Sequence, residues 1–451
     1  MNQRPSASHP VRWVILASVA TALAVAGYEV LQPSPMAFAG GKTVTLAAWH
    51  GEDPTGVPAE LRSASLAERG EYLARAADCE ACHTVEGGAP YAGGRAFVLP
   101  FGTLYSTNIT PDPDTGIGRY SDRNWLDALH KGIGRGGDRL YPAMPYASYT
   151  YMSDADALAI KAYLFSLQPV KAPPPQNTLA FPFNQRGLMA LWAAFFNPDK
   201  RFELNTQRSA QWNRGAYLAE GMGHCGECHT PRNLFFALNN RSKYAGAVQA
   251  GWRAYNITTD RTSGVGDWSD ADLVHYLSLG HADGHGTASG PMGEAVDQSL
   301  KFLKPDDIVA LVAYLRSVNG VASNDLPQPR MALASRTPVS ADGQHANPHG
   351  RAAYEGACAG CHGWTGQSPI IPSASLTGAR AVNDPTAINV AQVVIHGGPR
   401  HLMSDPSDMP AFGTTYSDEE IASVANYVTA RFGAKPSSLT AAGVAKLRRE
   451  Q

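Results

Sequence analysis

Beyond its N-terminus the chain lacks any apolar run approaching the roughly 20 residues a spanning helix needs, so a multi-span transporter is excluded. It also lacks an excess of either charge. The 37 basic and 39 acidic residues leave a formal net charge of -2, so there is no basic footprint for nucleic acid. Charged residues are only 17%, whereas 44 glycines and 32 prolines point to long ordered loops between helices. No paired carboxylates and no Ser/His/Asp arrangement mark a catalytic centre. The 451 residues, 44% of them hydrophobic, still suffice for several packed domains. Cysteine is scarce, six in all, and every one belongs to a pattern.

The six form three pairs, Cys79 with Cys82, Cys225 with Cys228 and Cys358 with Cys361, and histidine follows each pair at once. The motifs read C-E-A-C-H to His83, C-G-E-C-H to His229 and C-A-G-C-H to His362. C-x-x-C-H is the attachment signature of c-type haem. Two thiols at i and i+3 share one face of a helical turn and can bond the two vinyl groups of one porphyrin. The next histidine then sits under the iron as proximal ligand. Zinc would want four ligands from two pairs or from spaced histidines. Disulfides would suit an exported protein, and a thioredoxin-like dithiol would need a βαβ setting that the surroundings do not supply. Three motifs that use every cysteine, each with its own histidine, favour three covalently attached haem c groups.

An iron so held needs a sixth ligand unless it binds substrate, and methionine opposite histidine raises its potential. Three of the ten methionines recur in one context, Y-P-A-M-P-Y at Met144, S-G-P-M-G at Met292 and S-D-M-P-A-F at Met409. Each stands beside proline, downstream of one motif and before a helix-like segment, where a rigid loop presents sulfur to a flat cofactor. The alternative is gap-filling core methionine. Met152 competes with Met144, and Met403 with Met409. His130, His281, His285, His396 and His401 fall in the loops before the methionines, and His281 and His285 leave bis-histidine ligation open at the second site.

Repetition sets the architecture. Helix-like stretches precede the motifs, R-G-E-Y-L-A-R from Arg69, R-G-A-Y-L-A-E from Arg214 and R-A-A-Y-E from Arg351. Amphipathic helices with capping patterns follow the methionines, from Ser153, Lys304 and Ser417. The first two repeats also share N-I-T, at Asn108 and Asn256, which implies duplication, with the third repeat shorter and more distant. The expected division is 1–40 signal peptide or anchor, 50–172 first domain, 173–207 apolar and Pro-rich linker, 208–320 second domain, 321–344 linker, 345–433 third domain and 434–451 polar tail.

Arg4 and Arg12 precede the apolar run from Trp13 to Leu31, so the N-terminus stays cytoplasmic and the body is exported to the periplasmic side. Ala37-Phe38-Ala39 looks like a cleavage site, while the length of the run favours a retained anchor; both remain open. The segment Phe181 to Phe196 is strongly apolar and too short to span. It reads either as a helix packed between domains or as a docking surface for a partner or the bilayer edge. Gly132, Gly134 and Gly137 satisfy G-x-G-x-x-G but follow a helix rather than a strand, against a dinucleotide site. Asp112 and Asp114 lack the remaining ligands of a calcium loop, and side-chain turns explain the N-x-T sequons better than glycosylation.

With these motifs and W-N-R-G-A-Y-L-A-E-G-M-G-H-C-G-E-C-H-T-P-R-N from Trp212 in view, the chain resembles the triheme cytochrome c subunits of membrane-bound periplasmic dehydrogenases. That family serves alcohol and aldehyde dehydrogenases of acetic acid bacteria, flavin-dependent gluconate, sorbitol and fructose dehydrogenases, and nicotinate hydroxylases. The resemblance implies a mainly α fold, three tandem class I cytochrome c domains with long ordered loops plus an N-terminal apolar helix. It implies Cys79, Cys82, His83 and Met144 at the first haem, Cys225, Cys228, His229 and Met292 at the second, and Cys358, Cys361, His362 and Met409 at the third. It also implies an electron-transfer subunit without substrate chemistry of its own. Electrons would pass from a catalytic subunit of molybdenum, PQQ or flavin type, with a small iron-sulfur or accessory subunit, to membrane ubiquinone. The F-P-F-N-Q-R linker leans toward the aldehyde dehydrogenase complex. The competing function is a multihaem peroxidase with a switchable second haem.

Overall fold

The computed structural model describes residues 9–330, 347–368, 370–398 and 409–450, with side chains from residue 13 onward. Helix α1 (His9–Val30) comes first. Its Trp13–Val30 stretch is the one span among the described residues long and apolar enough to cross a membrane, and none of it is buried in the body. Strand β1 (Thr43–Thr45) follows. The first repeat then contains α2 (Leu66–Ala76), α3 (Cys79–His83), the hairpin β2 (Ala96–Leu99) and β3 (Gly102–Tyr105), α4 (Asp122–Lys131), the single turn α5 (Tyr146–Tyr149) and α6 (Asp154–Ser166). After α7 (Leu188–Phe196), β4 (Glu203–Asn205) pairs antiparallel with β1, Val44 opposite Leu204.

The second repeat repeats the order: α8 (Ala210–Tyr217), α9 (Gly226–His229), hairpin β5 (Ala247–Gln249) and β6 (Trp252–Ala254), α10 (Asp270–Leu279), the two-residue ribbon β7 (His281–Ala282) and β8 (Gly286–Thr287), α11 (Gly290–Gln298) and α12 (Pro305–Leu315). The third has α13 (Pro348–Ala353), α14 (Ala359–His362), α15 (Ile388–His396), α16 (Asp418–Phe432) and α17 (Ala441–Leu447). Serine side chains cap α2, α4, α6, α8, α10 and α16. Ser65, Ser121, Ser269 and Ser417 form reciprocal capping boxes with Glu68, Asn124, Asp272 and Glu420, satisfying amides that the first turn leaves open.

In each repeat the first helix crosses, at a glycine, the long helix α6, α12 or α16. A Cβ on Gly70 would lie 1.9 Å from the Ala159 carbonyl oxygen, on Gly215 1.9 Å from that of Ala310, and on Gly350 2.1 Å from that of Ser423. No other residue type allows backbones to approach so closely. Aligned on these glycines, Arg69 and Arg214 correspond to His349, so Arg351 and Tyr354 are not the third-repeat counterparts of Arg69 and Tyr72.

The cores do not follow the repeats one to one. A single buried cluster runs from Tyr72, Leu73 and Ile160 of the first repeat to Tyr217, Met222 and Tyr314 of the second, so spans 50–172 and 208–320 share one core. Phe202 and Leu204, within the expected linker, are buried in it as well. The third repeat has its own cluster around Tyr354, Ile421 and Phe432. The segment expected as a polar tail belongs to it: α17 buries Val444 and Leu447 against α16, and Arg448 pairs with Asp418 at 2.7 Å.

Candidate functional site

Each cysteine pair stands at the end of its repeat's first helix. Before α3 the chain turns through left-handed Asp78 (φ 53), whereas wide π turns over Leu218–Met222 and Tyr354–Cys358 lead to the other two motifs. All six thiols are free, and the pairs lie on short helical turns with the expected shared face. Burial pushes the thiols up, to about 12 for Cys79, Cys82 and Cys225 and about 11 for Cys228 and Cys358. A redox-active dithiol shows the opposite, a depressed pKa. Among the described residues no three His, Cys, Asp or Glu side chains converge as a preformed metal cluster, so the pairs do not come together as zinc ligands.

The histidines share one arrangement. His83 Nδ1 donates to the Thr107 carbonyl at 2.7 Å, His229 Nδ1 to that of Tyr255 at 2.6 Å, and His362 Nδ1 to that of Ala374 at 2.6 Å. This fixes the ring orientation and tautomer and leaves Nε2 as the available lone pair, which is how ligating histidines are held. Burial lowers the pKa of all three, favouring the neutral, ligand-competent imidazole. Paired thiols on one helical face beside such a histidine fit a covalently attached haem.

The carbonyls were not picked out by sequence reasoning, but the N-I-T inserts were their signal. Thr107 and Tyr255 directly precede Asn108 and Asn256. Each asparagine is buried, accepts from the amide and hydroxyl of the threonine two residues on, and donates Nδ2 to a carbonyl beyond its repeat's last helix, Val170 or Val321, at 2.6 Å. The duplicated tripeptide is a latch behind the histidine-orienting carbonyl. Asp112 and Asp260 likewise form side-chain turns onto Thr115 and Ser263 rather than cation loops.

The methionines divide. Met144 lies between α4 and α5 against the shared core that Cys79 borders, and Met409 borders the third core, as Cys358 does. Met292 is inside α11, not in a loop, and packs with Tyr276, Ala288, Val296 and Leu300 in a separate small cluster. Pro291, which suggested a loop, occupies the first turn of that helix, where proline is well accommodated. Met152 is completely buried in the shared core. Met403 and His401 lie outside the described residues. His130 is buried on α4, its pKa pushed down to about 3, mainly by burial. His281 holds Thr287 Oγ1 at 2.9 Å and Asp283 at 3.1 Å, while His285 stacks on Trp268 at 3.9 Å and faces Asp272 at 3.5 Å. Both are engaged by these neighbours.

The first two motifs adjoin. Tyr149 donates to the Ala77 carbonyl at 2.5 Å and meets the His224 ring edge-on at 5.4 Å, joining the residues just before Cys79 and Cys225. Arg95 reaches the Ala81 carbonyl at 2.6 Å and Glu294 of α11 at 2.8 Å. Asp78, half-buried with one enclosed oxygen unpartnered, is pushed well up, first by burial and then by Glu294.

Helix pairs crossing at glycine, each leading into a Cys-Cys-His turn whose imidazole is held by a carbonyl, define a c-type cytochrome. A model described as "Cytochrome c" matches residues 67–168, and one described as "Cytochrome C oxidase, cbb3-type, subunit III" matches 345–428. The gluconate 2-dehydrogenase cytochrome c subunit of Pantoea cypripedii is 38% identical over 86% of this chain and 90% of its own length. The fructose dehydrogenase cytochrome subunit of Gluconobacter japonicus is 39% identical over 88% of this chain and 85% of its own. A nicotinate dehydrogenase subunit of Pseudomonas putida is 43% identical over 87% of this chain, which spans only 33% of that longer protein. The chain belongs to the family of cytochrome c subunits of dehydrogenase complexes. Like them it is an electron-transfer component rather than a catalytic subunit.

Proposed function

We propose that the chain carries three covalent haem c groups and relays electrons from a catalytic dehydrogenase subunit to ubiquinone in the membrane. The observation that carries this is the threefold His–carbonyl bond beside an unpaired cysteine pair, since one geometry recurs at all three motifs. Cys79 and Cys82, Cys225 and Cys228, and Cys358 and Cys361 form the thioethers; His83, His229 and His362 are the proximal ligands. Met144, Met292 and Met409 are the distal ones. The haems supply the one-electron chemistry. The protein's part is to hold each imidazole neutral and aimed, and to set the first two motifs side by side. Three haems per chain by pyridine haemochrome analysis are expected; fewer would overturn the reading.

The domains are 50–172, 208–320 and 345–433, the first two fused through their common core. The catalytic partner is of the molybdenum hydroxylase or aldehyde dehydrogenase class. The F-P-F-N-Q-R linker and the identity with the nicotinate dehydrogenase subunit support this assignment. Detergent co-purification of a large subunit of another class would overturn it.

The body faces the periplasm and α1 is kept as an anchor. Support comes from residues 29–45, which are built into the body: Phe38 packs on Tyr314 at 5.8 Å, Arg208 donates to the Ala39 carbonyl at 2.9 Å, and β1 pairs with β4. Cleavage after Ala39 would strip an apolar contact from the core. Intact mass tests this directly, since a mature chain beginning at Gly40 would refute retention.

A further inference from the structure

The apolar segment Phe181 to Phe196 has no part in holding a haem. Its helix α7, sequence LMALWAAFF, contains no charged residue. A helix lying on a soluble body turns a polar face outward. Here Leu188, Leu191 and Phe195, at i, i+3 and i+7, form an exposed apolar stripe, Leu191 60% and Phe195 54% accessible. The flank of the stripe is held in place: Trp192 Nε1 donates to the Phe235 carbonyl at 2.8 Å, and Phe196 packs on Trp192 and Phe235 with centroids 5.4 and 5.8 Å apart. The loop so gripped is apolar and exposed in turn, at Leu234, Phe235 and Phe236. Phe236 joins the stacked pair Phe101–Phe183, and Phe181 stands 79% exposed nearby in sequence.

The neighbour of this patch says what covers it. The same loop receives the end of α1: Asn233 Nδ2 donates to the Glu29 carbonyl at 3.1 Å, Asn240 Nδ2 to that of Pro33 at 3.0 Å, and Arg241 to that of Leu31 at 2.7 Å. The Arg241 guanidinium also lies 3.9 Å over the Tyr28 ring. The exposed apolar patch therefore begins where a membrane-length helix leaves the body. We propose that α7 and the Leu234–Phe236 loop lie in the interface of the bilayer that α1 crosses. Aromatic rings suit headgroup depth, and Arg232 and Arg241, on the loop that carries Leu234–Phe236 and receives α1, supply guanidinium groups of the kind that pair with lipid phosphates. Arg232 also binds Glu227 of α9, through its carbonyl at 2.9 Å and its carboxylate at 2.7 Å. The second cysteine motif is thereby held beside the membrane surface.

The proposal rests on α1 being a membrane anchor, and the test separates the two. The full haem-loaded chain is reconstituted in phosphatidylcholine–phosphatidylglycerol vesicles with a nitroxide at Leu191→Cys, Phe236→Cys or, outside the patch, Leu66→Cys. Accessibility to oxygen relative to a water-soluble nickel complex should be several-fold higher at 191 and 236 than at 66. Equal nickel accessibility at all three positions would overturn the proposal and leave the face to a protein partner. Intact mass of the same samples reports residues 1–39 independently: a cleaved chain whose labels are still shielded refutes only the anchor, an uncleaved chain with wet labels only the contact. Should Leu191→Cys fail to load haem, Leu188→Cys reports the same stripe.

Discussion

The joint between the first two repeats and the joint between the second and third are built by opposite means. At the first, the repeats exchange side chains about a pseudo-twofold relation. Tyr72 of α2 donates to Asp307 at the start of α12 at 2.6 Å, and Tyr217 of α8 donates to Asp156 at the start of α6 at 2.5 Å. Each phenol also accepts the amide of the facing cap residue, Lys304 or Ser153, at 3.1 Å. Arg214 clamps Asp307 through two 2.7 Å bonds. At the second joint, among the described residues, no buried cluster is shared. Asn389 exchanges backbone bonds with Arg253 at 2.8 and 2.9 Å, Gln392 reaches the Gly251 carbonyl at 2.9 Å, and Arg253 meets Asp384 at 3.2 Å. The difference teaches that the duplicated pair shares one core, while the third repeat is a module with its own core, docked through polar contacts and a Trp252–His396 ring contact at 6.2 Å.

The sharpest break comes from Arg214→Met, which strands the buried Asp307 carboxylate. Removing one partner of a buried pair costs about 3–5 kcal/mol. Denaturant unfolding followed by tryptophan fluorescence should show both repeats of the shared core weakened together and the third unchanged. Loss confined to the second repeat would contradict a common core. Asn389→Ala is expected to cost about 1–2 kcal/mol through unmet backbone groups, loosening only the third module, as limited proteolysis would reveal.

The latch can be tested at the same scale. Asn108→Ala should cost about 1–3 kcal/mol by leaving buried groups unpaired, and should raise the potential of one haem as the Thr107 carbonyl loosens its hold on His83. Redox titration reads it, with Asn256→Ala acting on a different haem. Met144→Ala should lower one potential, and a titration unchanged from wild type would remove Met144 as a ligand. Met292 offers the finer comparison, because it lies inside a helix away from the core its cysteines border.

The cysteine motifs, the serine caps and the duplicated N-I-T were readable because each is local, a few residues whose spacing is itself the chemistry. The common core was not, because Tyr72 meets Asp307 across 235 positions and nothing in Y-L-A distinguishes a phenol turned outward to a partner repeat. The helix-like stretch from Arg351 before the third motif is present, but its register against the other repeats is set by Gly350, and a glycine leaves no apolar signature. Met292 was misplaced because proline beside a residue marks a helix start as readily as a loop.

The smallest effect expected is one of sign. Asp156 and Glu420 hold the same position in the first turns of the corresponding helices α6 and α16. Asp156 is raised above its ordinary 3.8, chiefly by burial in the shared joint. Glu420, fully exposed, is held below its ordinary 4.5 by bonds from the Ser417 amide and hydroxyl. A raised carboxyl keeps its proton in the folded state, so its contribution favours folding on the acid side and is lost as pH rises from 3.8 through the folded pKa. A depressed one contributes above 4.5 and is lost as pH falls through its folded pKa. Across the acid range, Asp156→Asn should flatten a decline in shared-core stability as pH rises above 3.8, and Glu420→Gln should remove a loss in the third module as pH falls below 4.5. Melting each unit across that range, with the same slope in both, would contradict the burial difference that separates the two joints.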